Sequence, residues 1–416
     1  MAVVRIGSLF SGAGGLDMAV AEVFGGTVAW HCEVDAAASK VLAYRYPGVP
    51  NLSDITAVDW TQVEPVDVLC GGFPCQDVSS AGKRAGLKDG TRSGLWSMFA
   101  DAIDVLRPRF VVAENVRGLL NAAAHRPMEP DPDALGDGES QPVLRAAGAV
   151  LGDLSDLGYD AQWCTVPASS VGAPHRRERV FILAGSTDAD DLRPQANQFA
   201  FGRQPALPGP GASELPLLVV ADATQPERGG SQQQHLGATG GPAAEPRERF
   251  SKSAARGSNA ADSSGDGWDE GRPEPARLER GFDAAVSGDG LVELLPTPSA
   301  SDGTGGGQHP DRREGHTRQL CDYALMDGTQ RWGKYGPAIQ RWENATRPAP
   351  APTEPNSKGN PRLNAAFSEW MMGWPDGWVT DVPGVSRNDA LRCIGNGVVP
   401  QQATAALRYL LTVAAL

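Results

Sequence analysis

Short apolar runs in the first 120 residues, VVRIGSLF, GTVAWHCEV, VDVLCGGF and RPRFVVAENV, are separated by segments of helical periodicity such as GLDMAVAEVF and LWSMFADAIDVL. This alternation constrains the chain more than any other feature. Parallel strands need crossover helices, so the pattern predicts an α/β, Rossmann-like fold: a mostly parallel sheet with helices on both faces. Residues 142 to 184 resume it with a helix (VLRAAGAVLGDLSDLG) and two strands (YDAQWCTVPA and RRERVFILAG), after a Pro-, Asp- and Gly-rich interruption at 125 to 141. Beyond Gly185 the character changes. The chain of 416 residues carries 50 Gly and 33 Pro, and many of them fall between 185 and 361, around a Trp-bearing stretch, QRWGKYGPAIQRWE. From 362 regular structure returns and closes with a helix, ATAALRYLLTVAAL. The expected organisation is a first α/β part at 1–184, a partly irregular unit at 185–361, with 222–290 close to disordered unless a partner orders it, and a regular closing segment at 362–416.

Composition removes several function classes. Six cysteines, at 32, 70, 75, 164, 321 and 393, form no CxxC pair, which argues against a disulfide scaffold or a zinc ribbon. No window approaches the ~18 apolar residues of a membrane span, and the first residues lack a leader-like apolar core, so the expectation is a soluble protein of a reducing compartment, the cytoplasm. The formal net charge of −13 is a weak argument against nucleic acid, because 31 of the 37 basic residues are Arg and local field decides binding.

At the first strand–helix junction, SLFSGAGGLDMA offers Gly12, Gly14 and Gly15 for a tight turn at a helix N-terminus, which suits close approach of a ligand and equally a plain connection. Glu33 follows Gly12 by 21 residues at the end of the second strand, where an acid binding ribose hydroxyls sits. Asp54, in LSDIT after a third apolar run, suits an adenine amino group. Each acid alone also fits a solvated strand end; the three features in register point to an adenosine-containing cofactor. GGFPCQDVSSAG then presents Cys75, after Pro74, at the end of what counts as a fourth strand. A free Cys is commonly buried filler, but these flanks form a loop able to expose a nucleophilic thiolate. A fifth strand runs into ENVRG and places Glu114 at the same sheet edge as a general acid or ring-nitrogen partner, or as a salt-bridged strand end. In PHRRERVFILA, alternation puts Arg177 and Arg179 on one strand face, a pair suited to anchor a carboxylate or an acceptor oxygen.

The ordered set FSGAGG, EVD, DIT, GGFPCQ, ENVRG, RRERV and GNGVVP resembles the DNA cytosine-5 methyltransferases, of the phage and bacterial type, over roughly residues 1 to 184 and 362 to 416. The resemblance implies methyl transfer from S-adenosylmethionine to carbon 5 of cytosine in a short specific sequence of double-stranded DNA, through a covalent Cys75 adduct to a flipped base, by a catalytic domain of 1–184 completed by 362–416 with 185–361 inserted as its target-recognition region. It assigns Glu114 to ring nitrogen 3 and the exocyclic amine, Arg179 to the base carbonyl with support of Glu114, and Arg177 to assist nearby. It gives the cofactor Phe10, Gly12, Gly14, Leu16, Glu33, Asp54, Ile55, Pro74, Leu95, Asn396 and Val398, and it gives DNA the loop residues Gln76, Ser79, Lys83 and Arg84. The chain departs from the family's pattern at His175, where Gln is common. No metal is implied, action is monomeric, and a cognate restriction endonuclease is left open as a partner. A cytosine-5 RNA methyltransferase and a catalytically silent DNA-binding relative are the competing readings. Trp370, Trp374 and Trp378, four apart, suit core or interface packing more than base stacking.

Overall fold

The computed structural model describes residues 3–73, 94–122, 145–187, 284–287, 290–303, 320–324 and 332–414. The loop carrying Cys75, the 125–141 interruption and almost all of 188–289 lie outside the described residues. Six strands, β1 (Val4–Leu9), β2 (Gly26–Cys32), β3 (Val68–Gly72), β4 (Phe110–Val116), β5 (Tyr159–Pro167) and β6 (Glu178–Ser186), form one sheet in the order β2-β1-β3-β4-β6-β5. The first four are parallel, β6 runs antiparallel between β4 and β5, and β5 at the edge again shares the direction of the first four. The expected Rossmann-like, mostly parallel sheet is therefore present.

Period-2 alternation sorts the strand side chains onto two cores. Leu69, Val111, Ala113 and Ile182 face helices α3 (Leu95–Leu106) and α4 (Ala146–Asp156). Val68, Cys70, Val112, Phe181 and Leu183 face the other way, toward α1 (Gly15–Phe24) and the last helix, α8 (Pro400–Ala414). In α8, Ala403, Leu407 and Leu410 recur at helical spacing and are fully buried, each leucine contributing about 1.5–3 kcal/mol of apolar burial. A third core joins α2 (Ala36–Arg45), α5 (Gly336–Ala345), α6 (Ala365–Met371) and α7 (Arg387–Asn396), with Leu295, Ile339, Trp342, Phe367, Trp370 and Ile394 in its interior. Leu295 and α5 thus pack with the completing segment, so the sequence boundary at 361 runs through one continuous core.

Polar caps set the helix starts. Asp35 accepts from the amides of Ala37 and Ala38, Asn364 from Ala366, and Ser386 from Asp389.

Two local expectations are corrected. The run ending in LSDIT is no strand: it meets the sheet through a single bridge, His31 to Asn51. Asp54 then takes both the amide and the hydroxyl of Thr56, which turns the chain into a short 3-10 segment, Ile55–Ala57. VDVLCGGF and RPRFVVAENV are consequently the third and fourth strands. The RRERV strand begins only at Glu178, leaving Arg177 outside it at φ +25°.

Candidate active site

Parallel register brings four strand ends to one edge. Leu9 pairs with Cys32 on one side and Gly71 on the other, and Gly72 pairs with Glu114, so the Gly-rich turn, Glu33, the β3 exit and Glu114 converge. This carboxyl edge is where open α/β sheets take ligands.

The turn after β1 is built from left-handed residues, Phe10 at φ +51°, Gly12 at +54° and Gly14 at +86°, the last serving as cap of α1. Phe10 keeps a backbone bond to Cys32 O (2.9 Å) and lies half-buried against the α3 side of the core. Among the described residues, a Cβ at Gly12 would meet nothing within 4 Å. At Gly15 the reverse holds: a Cβ would stand 2.6 Å from Val398 O and 3.2 Å from the Trp374 ring, so the close approach of these segments demands glycine. Glu33 fixes the turn, its Oε2 accepting from Gly12 N (2.7 Å) and its Oε1 from Asp35 N (2.7 Å). Burial raises its pKa above the ordinary carboxylate value, against the pull of those two amides.

Leu16 is 5% exposed within the core behind the turn, and Ile55 is buried beside Leu9 and Trp60. Asp54 is exposed and its carboxylate is held low by the Thr56 donors. Leu95 stands half-buried at the start of α3, Asn396 is exposed at the end of α7, and Val398 is buried against α1.

Beneath the turn lies a polar group that sequence reading passed over. Asp17, fully buried on α1, accepts from Ser8 Oγ (2.6 Å) and stands 3.3 Å from His31 Nε2. It ties β1, β2 and α1 together behind the glycines. Its only sequence signal is an acid in the first turn of a helix, which is common on any surface helix.

Glu114, 8% exposed, accepts from Arg179 Nε at 2.8 Å across the β4–β6 pair. Burial raises its pKa, opposed by Arg179 first and Arg177 second. Its other oxygen lies at the β3 exit, where a Cβ on Gly72 would be 3.0 Å from Oε2. The neighbouring Asn115 donates from Nδ2 to Phe73 O (2.8 Å) and so anchors the residue that precedes Pro74 and Cys75. Sequence reading named ENV as a motif without giving Asn115 a role.

Arg177 departs from its expected place. Its guanidinium is buried and donates to the carbonyls of Pro298 (3.2 Å), Gly395 (3.0 Å) and Gly397 (2.5 Å), while its amide donates to Thr297 Oγ1. It staples the start of β6 to two distant segments, and its positive charge acts on Glu114 only through space. Nearby His175 is buried and bonded through Nε2 to Met371 O (3.1 Å); burial pushes its pKa down to about 3, so it stays neutral.

Cys75, Pro74, Gln76, Ser79, Lys83 and Arg84 lie outside the described residues. The other five cysteines are free and buried, and burial pushes Cys32, Cys164 and Cys393 up to about 12 and Cys70 higher than its ordinary value. None of those four offers a thiolate at neutral pH. Among the described residues no cluster of His, Cys, Asp or Glu could hold a metal ion, and no helix is long and apolar enough to cross a membrane.

A family model described as C-5 cytosine-specific DNA methylase matches residues 4–208. The Type II methyltransferase M2.BsuMI of Bacillus subtilis (strain 168) is 35% identical over 185 residues, covering 44% of this chain and 42% of that protein. The Type II methyltransferase M.MspI of Moraxella sp is 32% identical over 176 residues, covering 42% of this chain and 37% of that one. The Type II methyltransferase M.AquIA of Picosynechococcus sp. is 32% identical over 185 residues, covering 42% of this chain and 69% of that one. The chain thus spans about two fifths of the length of the first two relatives.

Proposed function

Because the chain belongs to the C-5 cytosine-specific DNA methylase family, we propose that it methylates carbon 5 of a cytosine within a short double-stranded DNA sequence. The observation that carries the reading is the Glu114–Arg179 pair standing at the exit of β3, two residues of chain before Cys75.

The residues present fit S-adenosylmethionine. Among the described residues nothing stands within 4 Å of a Cβ on Gly12, and Glu33 at the end of β2 brings a carboxylate beside that turn. Phe10, Gly12, Gly14, Leu16, Glu33, Asp54, Ile55, Pro74, Leu95, Asn396 and Val398 are the residues we assign to hold the cofactor, Leu16 and Val398 through backbone and packing, since their side chains lie in the core. When bound, it supplies an electrophilic methyl group.

The chain's own groups handle the base. The target carbon is inaccessible in a stacked duplex, so the cytosine is flipped out. The Cys75 thiolate adds to carbon 6, while Glu114, whose pKa burial raises, holds a proton at ring nitrogen 3 and accepts from the exocyclic amine. The Arg179 guanidinium fixes the Glu114 carboxylate and faces the base carbonyl, and Arg177 holds that strand end in place. Electron density gathered at carbon 5 makes that atom the nucleophile, which would take the methyl group as S-adenosylhomocysteine leaves; the carbon 5 proton then passes to a solvent base, and the electron pair of that bond expels Cys75 as the thiolate. We assign Gln76, Ser79, Lys83 and Arg84 to contacts with DNA, and the region 185–361 to target recognition.

Bisulfite sequencing of DNA from cells expressing the protein, beside a Cys75→Ala variant, tests this. Protected cytosines confined to one short motif, absent in the variant, are expected, and the purified variant should still bind S-adenosylmethionine. Equal protection in both strains would sink the covalent mechanism, and labelled methyl found in RNA alone would replace the substrate.

A further inference from the structure

The turn after α6 carries two tryptophans whose indole N–H groups leave their own neighbourhood. Trp378 Nε1 donates to Ala13 O (2.8 Å), inside the Gly-rich turn. Trp374 Nε1 donates to Val398 O (2.7 Å), inside GNGVVP. The same Val398 carbonyl and Trp374 ring fill the space beside Gly15, and the Trp374 ring also fills the space beside Gly397. Two backbone segments from opposite ends of the chain are thereby held at one separation by two rings from a third.

The turn itself is rigid. Glu369, fully buried, accepts through Oε1 from the amides of Val379 and Thr380, and through Oε2 from Gly377 N and the Thr380 hydroxyl. From outside, Arg45 at the end of α2 donates to the carbonyls of Trp378 and Gly377, with its guanidinium 5.3 Å from the Trp378 ring centre. The Tyr46 ring meets Trp378 edge-on at 5.9 Å.

We propose that Trp374 and Trp378 are positioning residues for the methyl-donor pocket, setting the gap between Ala13 and Val398 so that the donor meets a preformed wall. This rests on the reading of that edge as an S-adenosylmethionine site. A wall left free to move would have to be ordered by the ligand, which weakens binding without touching the groups that act on cytosine.

The test uses the full-length protein with W378F and W374F, which remove each N–H and keep a ring, and W370F as comparator. Trp370 donates to Arg347 O (2.8 Å), which belongs to neither the Gly-rich turn nor GNGVVP. Calorimetric titration with S-adenosylmethionine and with S-adenosylhomocysteine should show affinity for both falling about tenfold in W378F and W374F, the effect of one lost hydrogen bond of ordinary strength. The KM for the donor should rise in step while kcat stays within about twofold. W370F should lose thermal stability and bind as the parent does. Unchanged affinity in W378F and W374F overturns the proposal, as does an equal loss in W370F. Should W378F fail to fold, R45A carries the test, with about a threefold weakening expected and unchanged affinity overturning it. No donor binding by the unaltered protein overturns instead the reading of the pocket.

Discussion

Two buried glutamates, one at the edge of the sheet and one in the tryptophan turn, show how surroundings divide chemistry from architecture. Glu369 is enclosed by four donors, three backbone amides and a hydroxyl, so both oxygens have fixed partners. Glu114 has one guanidinium on Oε1, and its second oxygen reaches the β3 exit beside Gly72. Burial raises the pKa of both. The difference is that Glu369 spends its acceptor capacity on its own loop, whereas among the described residues Glu114 is held only through Oε1. A carboxylate that the fold satisfies completely is architecture, and one it satisfies by half is available to a substrate.

That contrast should break most visibly under Glu114→Gln. Loss of the proton-holding group is expected to lower kcat by about 10²–10⁴-fold, as for general acid catalysis, with little loss of thermal stability. Methyl transfer from labelled donor and a melting curve on the same preparation check both halves. Glu369→Gln should behave in the opposite sense. The amide turns an N–H₂ toward fixed donors and strands two of them, which costs about 2–4 kcal/mol in chemical denaturation. A Glu369→Gln protein as stable as the parent would dissolve the distinction.

The smallest effect concerns pH. Because burial raises the Glu114 pKa in the folded state, its contribution to stability is fully present below the unfolded value of about 4.3 and is lost as pH rises through the folded value. Glu114→Gln lacks that loss. Measured by denaturation, the stability of the variant relative to the parent should therefore improve between pH 4 and pH 8, by about 1.4 kcal/mol for each unit of pKa shift. A flat difference would mean that Arg179 offsets the burial entirely.

Legibility in the sequence tracked how local the cause was. GLDMAVAEVF and LWSMFADAIDVL emerge as Gly15–Phe24 and Leu95–Leu106 because periodic burial decides helices within a dozen residues. Glu114 was readable for the same reason, since an acid at the end of an apolar strand has few places to go. The apolar run before Asp54 misled because one carboxylate bonding its own backbone can turn a chain that propensity would extend. Arg177 misled through alternation: its three carbonyl partners lie 121, 218 and 220 residues downstream, and nothing in RRERV announces them. The four-residue spacing of Trp370, Trp374 and Trp378 suits core or interface packing, and a spacing of four is also what one helix face would show. In fact α6 stops at Met371, with Gly373 and Gly377 both left-handed, and each indole serves a different segment.

The bond from Trp378 to Ala13 spans 365 residues of chain. At ~5–20 residues per second of synthesis, the N-terminal turn waits on the order of 20–70 s for its brace to be translated. On the proposed reading, the wall of the donor site is closed only after Trp378 has been made. A nascent chain emerging from the ribosome thus carries its sheet early and the brace of its Gly-rich turn late.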